Sequence, residues 1–380
     1  MTPTFLILFC DFLVSALLGV MVIELLLIVT YKRRLFDNPD ARKVHKLPVP
    51  RLGGVSFLPV MMITIAVTVG MMYHLGYTGL FEQEYYVLIQ LAVLLGSGML
   101  MFIVGVADDL VDVDFRIKLL FQFVASCIVV LSGLWIKNYC GLFGIHRIPG
   151  FFGMPLSVLL IIYIINSINM IDGIDGLASG LVILSLITLT GIAYGENHFL
   201  HMVIGVTLLG VVAAFWLFNM FGSRERCRKV FMGDSGSLTL GLFLSFLIIN
   251  ASDFGEEDLS LNGYYMSIGL STLIIPMLDM PRIVIWRLIH GRSPFRADNN
   301  HIHHLLMRCG LSQHGTLGVL IGMDVALILL TVLIARKLPV TMVFCIDVLV
   351  WYAFTGLVIV FLRRKEKASL SAQPTETGDR

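Results

Sequence analysis

The sequence predicts an all-α, polytopic integral membrane protein with about eleven transmembrane helices, its N-terminus outside and its C-terminus cytoplasmic. Three observations lead there. Of the 380 residues, 57% are hydrophobic and 14% charged, against roughly a quarter charged in soluble domains, and the mean hydropathy is +0.88. The apolar residues fall in runs long enough to cross about 30 Å of hydrocarbon. The Lys and Arg residues collect in alternate loops.

Taken in order, the spans read 4–31, 54–76, 85–107, 118–137, 154–171, 177–194, 201–221, 234–250, 264–289, 316–335 and 341–362. The first is too long for a signal-peptide core and lacks a small-residue cleavage pattern, so it reads as a retained helix. The third ends on Asp108-Asp109 and the fifth on a run of Asn and Asp. The eighth opens on Gly233-Asp234-Ser235-Gly236. Residues 1–365 read as a single transmembrane catalytic domain. Residues 366–380 read as a disordered cytoplasmic tail, since SLSAQPTETGDR is polar throughout.

Charge sets the orientation. Lys32, Arg33, Arg34, Arg42, Lys43, Lys46 and Arg51 share the first loop; Arg224, Arg226, Arg228 and Lys229 share another; Arg363, Arg364, Lys365 and Lys367 lie in the tail. With eleven crossings these fall on one side, together with Arg116, Lys118, Arg292, Arg296 and Arg308, and only Lys137, Arg147, Arg336 and Lys337 fall opposite. The positive-inside rule makes the crowded side cytoplasmic. The net charge of +1 says nothing about partners; no nucleic-acid partner is expected, and six scattered cysteines point to no disulfide framework or thiolate metal site.

Four polar clusters stand at the cytoplasmic helix ends, where carboxylates and amides are costly unless they meet water, a partner or a ligand. In ADDLVDVDFRIK, Asp108 and Asp109 are adjacent, and either a metal ion or Lys118 would relieve their repulsion. In NSINMIDGIDG, Asn166, Asn169, Asp172 and Asp175 recur every third residue; helix capping explains one such residue but not four. A calcium loop of the EF-hand kind needs a longer alternation and a terminal Glu.

The third cluster, VFMGDSGS, contains the serine-protease string Gly-Asp-Ser-Gly, but it leads straight into an apolar helix with no His and Asp partners in place. It reads better as a flexed helix entry that presents Asp234 to Mg²⁺ beside phosphates, with Phe231 placed to stack on a base. The fourth, RSPFRADNNHIHHL, offers His301, His303 and His304, of which the last two point apart on a helix with no fourth ligand for zinc. With Arg292 and Arg296 they suit phosphate and sugar hydroxyls.

Together, the Asp-Asp helix end, N-x-x-N-x-x-D-G-x-D-G, F-M-G-D-x-G-S, P-F-x-x-D-x-x-H-x-H-H-L and the preceding R-K-x-H-x-x-x-x-P-R-x-G-G at 42–54 make the chain resemble the polyprenyl-phosphate N-acetylhexosamine-1-phosphate transferases over residues 30–315. The first and last motifs are similar to the bacterial branch that transfers GlcNAc-1-phosphate to undecaprenyl phosphate at the start of O-antigen, common-antigen or teichoic-acid linkage synthesis. The peptidoglycan branch usually has Gly-Thr-Pro-x-Met-Gly-Gly and three consecutive histidines. Here the loop reads Val49-Pro50-Arg51-Leu52-Gly53-Gly54, and Ile302 interrupts the histidines.

The resemblance implies a multi-pass enzyme of the bacterial inner membrane with its active site on the cytoplasmic face. Its partners would be UDP-GlcNAc, undecaprenyl phosphate, the bilayer and, in a homodimer, a second copy. Mg²⁺, replaceable by Mn²⁺, would be held by Asp234 with Asn169. Asp108, Asp109 and Asp234 would be catalytic, with Asp108 deprotonating or orienting the lipid phosphate and Asp109 holding that arrangement or a metal-bound water. Lys118, His301, His303 and His304 would meet phosphates, and Asn166, Asp172, Asp175 and Phe231 the uridine or sugar. The alternatives are the same transfer from another UDP-HexNAc and, from a different class, a cation-coupled transporter. Transporters place their acids near the midplane in paired halves, a pattern not seen here.

Overall fold

The computed structural model describes residues 3–33, 50–76, 85–223, 228–255, 258–293 and 300–371. Its helices are α1 (Pro3–Arg33), α2 (Phe57–His74), α3 (Tyr85–Val111), α4 (Phe115–Leu131), α5 (Gly150–Ile171), α6 (Leu177–Gly195), α7 (Phe199–Phe221), α8 (Gly233–Ala251), α9 (Leu259–Ser271), α10 (Ile274–Ile289), α11 (Ile302–Arg308), α12 (Gln313–Ile334) and α13 (Val340–Ser371). A 3₁₀ turn, Leu52–Ser56, precedes α2, and a hairpin of β1 (Asn138–Leu142) and β2 (Ile145–Arg147) follows α4.

Among the described residues, nine helical segments are long and apolar enough to cross a membrane, and α9 with α10 passes the same test only as a pair, bent by 62° at the break between them. The fourth expected span begins three residues earlier than the apolar run and stops at Leu131, giving a helix of 17 residues. That is the lower limit for crossing a bilayer. The rest of the expected run, to Lys137, leads into the hairpin, which hydropathy did not reveal. Helix α13 continues through Ser371, six residues into the stretch expected as a tail; residues 372–380 lie outside the described residues.

Helix α8 forms the centre. It is the least apolar of the nine spans, with mean hydropathy 1.4, yet 89% of it is buried, whereas α1, at 2.8, is 22% buried. The inversion follows from the solvent: a helix facing lipid must be apolar over its lipid-facing side, while one surrounded by other helices can use small and hydroxylated residues to bring backbones close. Along α8, Thr239 and Ser245 return their hydroxyls to the carbonyls of Ser235 and Gly241 at 2.7 Å each, so these two polar groups are satisfied within the helix. Helices α3 and α5 flank it, while α1 and α6 pack on α7.

The bend between α9 and α10 has a local cause. Pro276 lies in the first turn of α10, where a missing N–H is tolerated but a continuous helix from α9 is not. The carbonyl of Thr272 accepts the Ser185 hydroxyl at 3.1 Å, satisfying backbone that the break would otherwise orphan.

These elements give the bundle two poles. The C-terminal ends of α3 and α5 meet the N-terminal end of α8 at one. At the other, the β-hairpin packs against α9 and α13, Lys137 pairs with Asp253 at 3.2 Å, and Arg336 lies 4.8 Å from the Tyr264 ring centroid.

Candidate active site

The chain entry to α8 organises the first pole. Gly233 has φ +72°, a region favouring glycine, and a Cβ there would strike the Arg51 carbonyl and the Asp109 carboxylate. The turn so formed aims two amides at one acceptor: Asp109 receives the N–H groups of Asp234 at 2.8 Å and Ser235 at 3.0 Å. A carboxylate from α3 therefore caps α8, meeting its orphan donors and the positive end of its dipole. Segment 50–54 lies alongside, with Phe231 N–H donating to the Pro50 carbonyl at 2.8 Å and Gly53 and Gly54 donating to the carbonyls of Phe231 and Met232 at 2.9 and 2.8 Å.

Held by that cap, Asp234 meets three neighbours. Its Oδ1 accepts Asn169 Nδ2 at 3.0 Å, its Oδ2 accepts Lys118 Nζ at 3.0 Å, and the Asp108 carboxyl lies within hydrogen-bond reach. Lys118 also pairs with Asp108 Oδ2 at 3.1 Å, and Asp108 Oδ1 accepts the Val113 N–H at 2.8 Å. Asn169 donates to Ser237 Oγ at 2.8 Å as well. One ammonium thus serves two carboxylates, leaving a net negative cluster partly open to water, with side-chain exposures of 23% for Lys118, 22% for Asp234 and 12% for Asp108. Its donors are oxygens suited to a small hard cation, whose remaining ligands would come from water or phosphate.

Asp172 stands exposed at the C-terminal end of α5. The protein mass around it, then the charges of Asp234, Asp175 and Asp109, push its carboxyl up, and Arg51 opposes them. The side chain reaches water despite that mass, which tempers the first effect. Asp175 is instead tied down: its Oδ2 pairs with Lys229 Nζ at 2.8 Å in a dry contact, and Lys229 also donates to the Asn219 carbonyl. Asn219 Oδ1 accepts the Gly176 N–H at 2.6 Å and its Nδ2 donates to the Val230 carbonyl at 2.8 Å. Asn166 is similarly engaged, donating to Gln122 Oε1 at 2.6 Å.

The histidines reach the same pole by a different route. Asp279, 1% exposed, accepts His301 Nδ1 at 2.9 Å and Arg282 Nη2 at 2.6 Å, and Arg282 reaches the Asn300 carbonyl at 2.6 Å. The His303 ring lies parallel to His301 at 5.6 Å and against Gly173, where a Cβ would strike its Nε2. Burial lowers the proton affinity of His303 well below the usual imidazole range. His304 tilts on His303 at 4.2 Å. Arg292 is exposed, 5.2 Å from the Trp286 ring centroid, and Phe231 is half-buried. Arg296 lies outside the described residues.

The structure therefore brings Asp108, Asp109, Lys118, Asn169 and Asp234 into one cluster, sets Asp172 and His303 at its edge through Gly173, and draws Asp175 and Asn166 into supporting bonds. Sequence reasoning missed Gln122, Asn219, Lys229, Asp279 and Arg282 as supports. Lys229 was counted as loop charge. Asp279 and Arg282 carried a usable signal, since an acid and a base one turn apart inside an apolar run need a partner.

The fold and this cluster define a membrane-embedded protein with a polar site where three helix ends meet around acid, amide and ammonium. Residues 91–252 match the family model described as glycosyl transferase family 4. The chain is 30% identical over 302 residues to the undecaprenyl-phosphate alpha-N-acetylglucosaminyl 1-phosphate transferase of Escherichia coli (strain K12), covering 79% of this chain and 76% of that one. It is 28% identical over 310 residues to the probable undecaprenyl-phosphate N-acetylglucosaminyl 1-phosphate transferase of Bacillus subtilis (strain 168), covering 80% and 78%. Against the Yersinia pestis undecaprenyl-phosphate alpha-N-acetylglucosaminyl 1-phosphate transferase the identity is 28% over 312 residues, covering 82% and 79%. The chain belongs to glycosyl transferase family 4, a phosphoglycosyltransferase rather than a transporter.

Proposed function

We propose that this chain transfers GlcNAc-1-phosphate from UDP-GlcNAc to undecaprenyl phosphate, releasing UMP, as the first step of a cell-envelope polysaccharide pathway. The observation that carries the reading is the shared contact of Lys118 with Asp108 and Asp234, at 3.1 and 3.0 Å, at a helix end capped by Asp109. The names of the relatives support the two substrates.

The reaction joins a lipid phosphate oxygen to the sugar-linked phosphorus of the nucleotide and breaks the bond to UMP. Such transfers depend on positioning and charge neutralisation. Asp108 orients the lipid phosphate. A phosphate monoester, with its second proton leaving near pH 6, is already mostly dianionic at neutral pH, so no strong base is required. Lys118 Nζ has the reach to neutralise a phosphate oxygen arriving between the carboxylates. Asp109 keeps Asp234 fixed through the first turn of α8, and Asn169 aligns it from α5.

Asp234 and Asn169 would hold Mg²⁺ or Mn²⁺, which when bound supplies several kcal/mol of charge stabilisation to the pyrophosphate. His301, His303, His304 and Arg292 serve phosphate and sugar, and Asp172 and Phe231 the uridine; the same role is expected of Arg296, which lies outside the described residues. The acceptor's isoprenoid stays in the bilayer while its phosphate sits at the interface, which accounts for an enzyme built almost wholly of membrane helices. The basic loops argue that this pole faces the cytoplasm of a bacterial inner membrane.

The test supplies purified protein with undecaprenyl phosphate and a panel of UDP-sugars, then identifies the lipid product by mass spectrometry. GlcNAc-pyrophosphoryl-undecaprenol with stoichiometric UMP is expected. A product from another UDP-HexNAc alone would replace the donor, and no lipid-linked sugar from any donor would overturn the reading.

A further inference from the structure

The open cluster is satisfied by its own chain. Both oxygens of Asp234 are occupied, Oδ1 by the Asn169 amide at 3.0 Å and Oδ2 by the Lys118 ammonium at 3.0 Å. The ammonium also holds Asp108 at 3.1 Å. Both groups point N–H donors, which cannot ligate a cation, at the carboxylate expected to bind one. A positive charge therefore already sits where a second one would have to go.

We propose that Lys118 is the resident counter-ion of this cluster and that divalent metal enters by exchange with it. The inference rests on the functional reading above and deepens it by assigning how the site loads. In the structure the ammonium bridges Asp108 and Asp234. On loading, Lys118 swings out of the bridge and Asn169 turns its amide oxygen toward Asp234. The released ammonium, on the four-carbon stem of a half-buried lysine, lies beside the vacated bridge, ready for an incoming phosphate. The exchange keeps the charge of the cluster from becoming strongly negative at any stage, which two carboxylates in contact would otherwise oppose.

The third carboxylate of the cluster, Asp109, is already taken by the amides of Asp234 and Ser235. Among the described residues no group of three or more His, Cys, Asp or Glu side chains could hold a metal, so the chain alone offers a weak site guarded by its own cation. Affinity measured without nucleotide is then reduced by the fraction of molecules in which the bridge is closed.

The test is Mn²⁺ binding to the detergent-purified full chain without nucleotide or lipid, read by loss of the free Mn²⁺ paramagnetic resonance signal. With the bridge closed in about nine molecules of ten, Lys118→Met binds Mn²⁺ roughly tenfold more tightly than wild type. Lys118→Gln does the same should the methionine variant misfold, and Asp234→Ala binds none at that site. In wild type, mass spectrometry after amine acetylation shows Lys118 shielded without metal and labelled with it.

Equal or weaker Mn²⁺ binding in folded Lys118 variants overturns the proposal, as does labelling of wild-type Lys118 that Mn²⁺ does not change. Mn²⁺ binding to none of the proteins overturns it too. UMP release by wild type in parallel separates the two ideas: exchange without turnover removes the functional reading alone, and turnover without exchange removes this one.

Discussion

Two clusters built from the same residue types, Lys, Asp and Asn, lie a few residues apart, and they do opposite work. In one, Lys118 meets Asp108 and Asp234, with Asn169 beside them, at side-chain exposures of 23, 12 and 22% for the three charged groups. In the other, Lys229 meets Asp175 with Asn219 beside it, at exposures of 6 and 10% for the ion pair. The first holds two carboxylates per ammonium and touches water; the second is balanced and dry. A balanced dry pair has no further charge to offer and costs desolvation on both sides, so its use is to lock the 172–176 turn onto the strand of chain leading to α8. An unbalanced wet cluster retains affinity for a cation or a phosphate. Stoichiometry and water access, more than residue type, separate the open cluster from the structural one at this pole.

The largest effect that would break the comparison concerns metal. Chelation with EDTA should abolish UMP release, Mg²⁺ or Mn²⁺ should restore it, and the folded state of the dry cluster should be untouched when followed by thermal unfolding. Turnover that survives chelation would remove the reason for the open cluster's excess charge.

Next in size is the dry pair itself. Asp175→Ala leaves the Lys229 ammonium buried without its carboxylate, and thermal unfolding in detergent should register a loss of about 3–5 kcal/mol. Replacing both together, Asp175→Leu with Lys229→Met, should recover most of that loss. An Asp175→Ala protein of unchanged stability but no activity would move Asp175 back among the substrate contacts.

Asp109 bridges the two kinds of role. Asp109→Ala removes the carboxylate from the first turn of α8, costing about 1–2 kcal/mol as a lost cap, and it should lower turnover through misplacement of Asp234. Stability and rate should fall together across Asp109→Asn and Asp109→Ala, measured by unfolding and UMP release on the same samples.

A smaller effect is expected from pH. His303 refuses a proton in the folded state because it is buried, while the unfolded chain accepts one near pH 6.5. Above that value both states carry the neutral ring and stability is indifferent. Below it only the unfolded state gains a proton, so stability should fall as pH drops from about 7 to 5, by up to roughly 1.4 kcal/mol per unit. His303→Gln should flatten that slope. The smallest effect is Arg292→Ala, an exposed group over Trp286, which should change stability by under about 1 kcal/mol.

Much of this was legible before any coordinates. Nine of the eleven expected spans correspond to single helical segments long and apolar enough to cross a membrane, because long apolar runs are read directly from hydropathy. The exceptions have physical reasons. Leu131 ends α4 early because Ser132 and Gly133 close the turn before the hairpin, a local event within an apolar run. The break at Thr272 depends on Pro276 and on a hydroxyl from Ser185, far away in sequence.

At the site, Asp108, Asp109, Asn169 and Asp234 stood out because acids and amides at helix ends are rare in such a chain. The sorting of Asp172 from Asp175 did not. Both sit in the same repeat, and what separates them is Lys229, 54 residues away. Asp279 was visible as one of an acid and base pair with Arg282, but its contact with His301, 22 residues on, was not. Periodicity names the polar positions; only packing tells which ones are already taken.

UMP release per folded molecule from UDP-GlcNAc and undecaprenyl phosphate, compared between wild type, Asp234→Ala and Asp108→Ala, tests the open cluster most directly. Both variants should be recovered folded from the membrane with turnover reduced by about 10²–10³-fold or more. Wild-type turnover in either one would contradict the assignment of this cluster as the place where phosphoryl transfer occurs.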